Sequence, residues 1–561
     1  MTVTAATLPN SLLQDRSFAR TCDLAAVGIL LVAAVMSALT FRDYGLGWDD
    51  YTHAEYGDLL LSFYASGLAD TRAMSFVNLH MYGGGFDMAS ALAAKILPFS
   101  LFETRRLVGA LFGLTGMLAV WRTARVIGGP LAGLIALALI ATCPLYIGHM
   151  YMNAKDAPFA AAMAVLLYGL VRIFLEYPKP GLAARVIFGL GLGCALGSRV
   201  LAGIDGLCVA AAMALIVAVE WHRTGPLDAI RQLGTFLLWL IPSLILAYAV
   251  LALIWPWGAM DPLNAFRAVS YFSRFFEEPW RELFGGRLIL VPDMPSSYLP
   301  TLMALTLPEI LLALGLTGVA GAFVAAARPD LQVNRRAVKL MIALAFLLPI
   351  VIAMITRPAL YNGIRHFIFV MPPLAILGGL AGGWIADRLR SKVSIAVASA
   401  ILVAGLASPV IEMMRLHPYE YTHFNRIAGG VRNAEGRYML DYWGLSFKQA
   451  SDALLNYLNA RGDKAPEGGW RVGVCGPHRP VEVAFREAHQ PDVQTTWEPK
   501  GAQFAIMLGV FYCRKLPAPM IAEIIRDGAL YARVYDLRGV DIPALLTMPG
   551  LQGKSNPPPP P

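Results

Sequence analysis

Long apolar blocks separated by short polar breaks run along the chain as far as residue 411. A helix needs about 20 mostly apolar residues to cross the hydrocarbon core of a bilayer. Read that way, the pattern predicts about eleven spans, at 24–41, 107–121, 131–148, 157–175, 186–200, 203–220, 233–254, 299–326, 338–356, 367–385 and 393–411. The run 186–220 divides into two short spans, with Arg199 and Asp205 near its middle. A twenty-residue polar stretch with Arg16 and Arg20 precedes the first span, and no small-residue cleavage site follows it, so an uncleaved anchor is expected.

The loop 42–106 carries two further helical patterns. Tyr56 to Tyr64 reads as an amphipathic helix on the bilayer surface, and Phe86 to Phe102 as a second interfacial helix after a flexible break at Gly83-Gly84-Gly85. Segment 255–298, rich in Trp, Pro and Phe, suits a loop at headgroup level or a lid. Beyond residue 411 the pattern changes. Apolar positions over 446–460 have helical spacing, and strand-like runs follow at Trp470–Cys475, Phe504–Phe511 and Ala529–Tyr535. The organisation expected is a cytoplasmic segment 1–23, a membrane domain 24–411, an extracytoplasmic α/β domain 412–555 and a disordered proline tail 556–561.

Composition agrees with this division. The chain is 57% hydrophobic and 15% charged, where a soluble protein is nearer about a quarter charged. The net charge of +8 comes from basic residues in short loops, as membrane orientation requires, and gives no reason to expect nucleic acid. Arg122 and Arg125, Arg172 to Arg185, Arg223 and Arg231, Arg328 to Lys339, and Arg388 to Lys392 mark five inner loops. An odd number of spans then places the C-terminal part outside, together with 42–106, 149–156, 199–205, 255–298 and 357–366. If that side is oxidising, Cys475 and Cys513 can pair.

Those outer segments hold the residues that carry chemistry. Gly47-Trp48-Asp49-Asp50-Tyr51-Thr52-His53 follows the first span, and acids so near a membrane helix end are costly unless hydrated or given a task. On a helix, Asp49, His53 and Tyr56 share a face. His149 to Pro158 places Asn153, Lys155 and Asp156 before the fourth span; Asp156 is either a helix cap or a functional acid. Tyr361-Asn362-Gly363-Ile364-Arg365-His366 precedes the tenth span, where Arg365 is either a snorkelling anchor or a phosphate ligand. Arg106 stands likewise at the second span, and Arg199 either pairs with Asp205 or binds an anion. The stretches His417 to Asn425 and Asp441 to Ser446 suit packing of the outer domain or contact with a carbohydrate or headgroup.

Taken together, these features resemble the GT-C superfamily of glycosyltransferases that use lipid-linked sugars, and within it the family 39 branch of protein O-mannosyltransferases and the bacterial lipid A aminoarabinose transferase. The resemblance rests on Trp48-Asp49-Asp50, the surface helices, Arg106, Asn153-Ala154-Lys155-Asp156, Arg365 and an outer C-terminal domain, and covers most of 20–411. Two departures stand out: the family often has Asp-Glu where this chain has Asp49-Asp50, and there is no room for a β-trefoil domain.

The resemblance implies inverting transfer of a sugar from a polyprenyl-phosphate donor to an acceptor hydroxyl; the uninterrupted organisation and short loops look bacterial, which would make the outer face the periplasmic side of an inner membrane. A glycolipid, a polysaccharide or a protein would be the acceptor in such cell-envelope glycosylation. Asp49 is then the first choice for catalytic base and Asp50 the second, with Asp156 assisting. Arg106, Arg199, Arg365, Lys95 and Lys155 hold the phosphate. His53, Asn153 and His366 support the site or the acceptor. No cofactor is expected; a divalent metal on Asp49, His53 and Asp156 is the alternative to neutralisation by arginines. The rival class is a transporter or flippase of a lipid-linked sugar, but neither an internal repeat nor mid-membrane acids are seen.

Overall fold

The computed structural model describes residues 16–273, 280–490, 493–513, 515–542 and 546. The proline run 556–561 lies outside the described residues. Among the described residues, nine helices are long and apolar enough to cross a membrane: Arg16–Thr40, Leu101–Gly128, Asp156–Leu175, Val200–Thr224, Pro226–Ile254, Glu309–Ala327, Val333–Thr356, Arg365–Ala386 and Lys392–Leu416. The pair Pro130–Ala141 and Pro144–Met152, bent by 61°, gives a tenth, and Leu182–Ser198 is a shorter apolar helix. The chain is therefore a polytopic helical membrane protein.

Each apolar run of the sequence is found as helix, with two differences in continuity. Run 131–148 breaks at Pro144, whose ring cannot continue the helix before it. Run 299–326 is divided into Tyr298–Thr306 and Glu309–Ala327, with Leu307 and Pro308 extended between them.

Leu182–Ser198 shows how a short helix is seated by its glycines. Gly189, Gly193 and Gly197 recur every fourth residue and form a smooth stripe. A Cβ at Gly193 would stand 2.6 Å from the Ala247 carbonyl oxygen, and one at Gly197 2.7 Å from Ile254. Gly191, on the opposite side, lies equally close to the Leu166 backbone. The helix is thus clamped between Asp156–Leu175 and Pro226–Ile254, and its last turn delivers Arg199.

The outer loop after the first span forms helices Asp50–Ala65 and Gly85–Ala94, the second ending before residue 102. The glycine trio between them is a close crossing of backbones rather than a flexible break. A Cβ on Gly83 would coincide with the Gly197 carbonyl, and the Gly84 amide donates to Ile254 O at 2.9 Å. Trp255, expected at headgroup level, is buried and donates to His80 O at 2.9 Å. In the same outer segment β1 (Arg281–Phe284) and β2 (Arg287–Leu290) form an antiparallel hairpin. Residues 274–279, which contain some of its aromatics, lie outside the described residues.

The C-terminal region has strands β3 (Trp470–Cys475), β4 (Val493–Thr496), β5 (Phe504–Leu508), β6 (Met520–Arg526) and β7 (Ala529–Asp536). They form one sheet in the order β4-β3-β5-β7-β6. The β3 strand pairs in parallel with β4 and β5, and the remaining pairs are antiparallel. Helix Phe447–Arg461 covers the sheet with Phe447, Ala450, Leu454 and Leu458 buried. Cys475 and Cys513 form a disulfide with Cα atoms 5.8 Å apart. Residues 417–446 tie this region to the membrane helices. Both ring nitrogens of His417 meet carboxylates, Glu420 at 2.7 Å and Asp43 at 3.0 Å, and His423 meets Glu412 at 2.6 Å.

Candidate active site

Four helix ends and one loop converge beside the helix that begins at Asp50. At the start of Asp156–Leu175, Asn153 Oδ1 accepts from the Lys155 and Asp156 amides at 3.1 and 2.7 Å. Asn153 therefore does the capping, and the Asp156 carboxylate is free to point elsewhere. It meets Arg199 at 2.8 Å through one oxygen and Arg365 at 3.3 Å through the other. Asn153 Nδ2 donates to the same carboxylate at 2.9 Å. Arg199 is thus paired with Asp156 and not with Asp205, whose Oδ1 is buried without a hydrogen-bond partner. Arg365 is buried between Asp156 and the rings of Tyr361 and Trp443, 4.9 and 5.3 Å from its guanidinium, which excludes the snorkelling role.

Lys155 turns the other way, to Asp49 at 3.4 Å. Lys155 and Arg199 share the Tyr82 ring, each 5.3 Å from its centroid. This arrangement holds two carboxylates, Asp49 and Asp156, and three cations, Lys155, Arg199 and Arg365. A net positive site in partly desolvated surroundings is suited to an anion. Asp49 is the accessible acid, its side chain 34% exposed. Burial pushes its carboxyl up, but Lys155, Arg365 and His53 outweigh that and hold it below the usual carboxylate range.

Asp50 belongs to a different network, directly behind. It is 2% exposed and receives the Gly47 amide at 2.9 Å and Arg106 at 2.6 Å, with Arg105 4.0 Å away. Arg105 also binds Asp87 at 2.7 Å, and Asp87 binds His53 Nδ1 at 2.7 Å. Asp87 is buried, which raises its carboxyl, but His53 and Arg105 hold it below the usual range. As an ionised acceptor it takes a hydrogen bond from His53 Nδ1–H. His53 Nε2 is buried with no hydrogen-bond partner.

The structure therefore gathers Asp49, Lys155, Asp156, Arg199 and Arg365 into one site, with Asn153 supporting it. Asp50, His53 and Arg106 form the layer behind. His366 faces the same cluster, its ring 5.1 Å from Tyr361 and close enough to Asp156 to act on its charge. Lys95 stands apart, 61% exposed and 3.9 Å from Asp58. Asp49, His53 and Asp156 make no metal cluster: each has a separate partner, and among the described residues no group of three such ligands is found. Tyr82, Asp87 and Arg105 join these networks as well; an acid two residues after a glycine trio and a second arginine beside Arg106 are the signals the sequence carries for two of them. Of the outer stretches read as packing or ligand contact, Tyr419, Tyr421, His423 and Asn425 pack in the interior. Trp443 faces Arg365, while the Tyr442 hydroxyl is hydrogen-bonded with His149 Nε2, 3.2 Å away.

Residues 87–255, which include Lys155, Asp156 and Arg199 but neither Asp49 nor Arg365, match the family model described as dolichyl-phosphate-mannose-protein mannosyltransferase. The chain resembles that family. No curated protein matches the chain. Among solved structures, it is similar to ArnT from Cupriavidus metallidurans bound to undecaprenyl phosphate, at 17% identity over 91% of this chain and 97% of that one, with a TM-score of 0.45. The oligosaccharyltransferase of Archaeoglobus fulgidus gives 13% identity over 85% and 65%, with a TM-score of 0.49. The mycobacterial arabinofuranosyltransferase AftD gives 14% over 92% and 40%, with a TM-score of 0.41.

Proposed function

We propose that the chain is an inverting membrane glycosyltransferase that moves a sugar from a polyprenyl-phosphate donor to an acceptor hydroxyl. The observation that carries this reading is the meeting of Lys155, Arg199 and Arg365 beside the half-exposed Asp49. The match of residues 87–255 to a mannosyltransferase family supports it.

In this reading Arg199, Arg365 and Lys155 hold the donor phosphate and stabilise the charge it gains as the sugar–oxygen bond breaks. Asp49 takes the acceptor hydroxyl proton as the new bond forms on the opposite face of the anomeric carbon. Asp156 keeps two arginines aligned between turnovers. The paired acids behind, Asp50 and Asp87, fix the helix that presents Asp49. The Cys475–Cys513 disulfide supports an oxidising outer compartment for the C-terminal region, with the N-terminus cytoplasmic.

The test is transfer of radiolabelled sugar from a polyprenyl-phosphate donor to membrane extract by the purified chain. Labelled product is expected. Movement of the donor across vesicles without any product would instead identify a flippase.

A further inference from the structure

Glu282 is a buried acid that the proposed chemistry does not use. It stands on β1 of the outer hairpin and is 2% exposed. Its Oε1 accepts the Asn362 backbone amide at 2.9 Å and the Tyr298 hydroxyl at 3.3 Å. The Tyr298 hydroxyl also lies 3.4 Å from the Gly363 carbonyl. The outer ends of this dipeptide, the Asn362 amide and the Gly363 carbonyl, thus meet Glu282 and the hydroxyl that Glu282 engages.

That peptide is unusual. Asn362 has φ 56° and Gly363 φ 70°, two successive residues in the left-handed region. Asn tolerates the left-handed region better than most residues, but two such residues in succession need their surroundings to hold them. The reversal ends two residues before Arg365, so its shape sets where the guanidinium enters the site. On the site side the Asp156 contact at 3.3 Å and the two aromatic faces engage the Arg365 guanidinium. None of these fixes the backbone.

We infer that Glu282 is a positioning residue for the phosphate-binding arginine: it locks the left-handed Asn362–Gly363 turn so that Arg365 meets the lipid phosphate. The inference rests on the donor-binding reading above. Burial pushes the Glu282 carboxyl up to about 7, against the opposing pull of the Asn362 amide and the Tyr298 hydroxyl. Oε1 can accept both bonds in either protonation state, so a glutamine can replace it.

The experiment measures binding of undecaprenyl phosphate to the full chain in nanodiscs. The variants are Glu282→Ala, Glu282→Gln, Arg365→Gln and the Glu282→Ala/Arg365→Gln double variant. Removing a buried acceptor strands its donors, so Glu282→Ala is expected to weaken binding about tenfold. Glu282→Gln should stay near wild type. The decisive result is non-additivity: on the Arg365→Gln background, Glu282→Ala should add little. Equal losses on both backgrounds would overturn the inference, because Glu282 would then act independently of Arg365. Wild-type affinity in Glu282→Ala would also overturn it. If that variant fails to fold, Glu282→Asp, shorter by one methylene, takes its place with the same expectation. A wild type that does not bind undecaprenyl phosphate refutes the donor reading itself, which is a distinct outcome.

Discussion

Asp49 and Asp50 are adjacent in sequence, and their replacement by asparagine should separate activity from stability. Asp50 is 2% exposed and neutralises Arg106 at 2.6 Å, with Arg105 close behind. Asp50→Asn leaves a buried guanidinium without its counter-charge. Breaking a buried pair on one side costs about 3–5 kcal/mol. Asp49 is 34% exposed and its Lys155 contact is long, at 3.4 Å. Such a pair contributes roughly 1 kcal/mol at most, after allowance for solvent screening. Loss of a general base, by contrast, should lower turnover about 100- to 10,000-fold. Asp49→Asn should therefore melt close to wild type and transfer almost no sugar. Asp50→Asn should melt at a clearly lower temperature, and the fraction that stays folded should retain much of its turnover. The assay is a thermal melt in detergent followed by initial-rate transfer on the same preparation. An inactive, fully stable Asp50→Asn beside an active Asp49→Asn would refute the assignment of the two acids.

Arg199→Gln and Arg365→Gln should each weaken donor binding by tenfold or more, since each removes a largely buried charge; equal donor affinity in either variant, read by competition with undecaprenyl phosphate, would count against a phosphate site. The pH profiles follow from Asp49, which must be ionised to act: its carboxyl is held below the usual value, so the acid limb of kcat/KM should lie at lower pH than an ordinary aspartate would give. Donor phosphate cancels the cations that hold it low, so the acid limb of kcat should lie at higher pH than that of kcat/KM, and the reverse order would contradict the model of the base. Reducing Cys475–Cys513, which closes a separation of 38 residues, should cost the outer region about 4 kcal/mol, read as a lower unfolding midpoint with dithiothreitol.

The spans were legible because hydrocarbon imposes a length and a composition that any window of sequence exposes. The site was legible only as a set of chain positions. Asp49, Lys155, Asp156, Arg199 and Arg365 could be singled out because each stands where charge is costly, at the outer end of an apolar run. Partner choice was not legible. Arg199 pairs with Asp156, forty-odd residues away, rather than with Asp205 nearby, because the glycine stripe at 189, 193 and 197 seats its helix against Asp156–Leu175 and Pro226–Ile254. Glu282 gave no signal at all: its meaning depends on a turn eighty residues later.

The same reasoning explains why two neighbouring acids take different parts. Consecutive residues on a helix point about 100° apart, so side chains at the mouth of Asp50–Ala65 cannot face one environment together. Leu101–Gly128 supplies Arg105 and Arg106 to one side of that mouth, and the Asn153–Asp156 turn supplies Lys155 to the other. Whichever acid faces the paired arginines is sealed and becomes part of the frame. The other keeps contact with solvent and can exchange a proton. In the proposed reaction, the pairing of Arg106 with Asp50 leaves Asp49 as the acid able to exchange a proton, and Arg106, expected from the sequence to hold phosphate, contacts the sealed carboxylate instead.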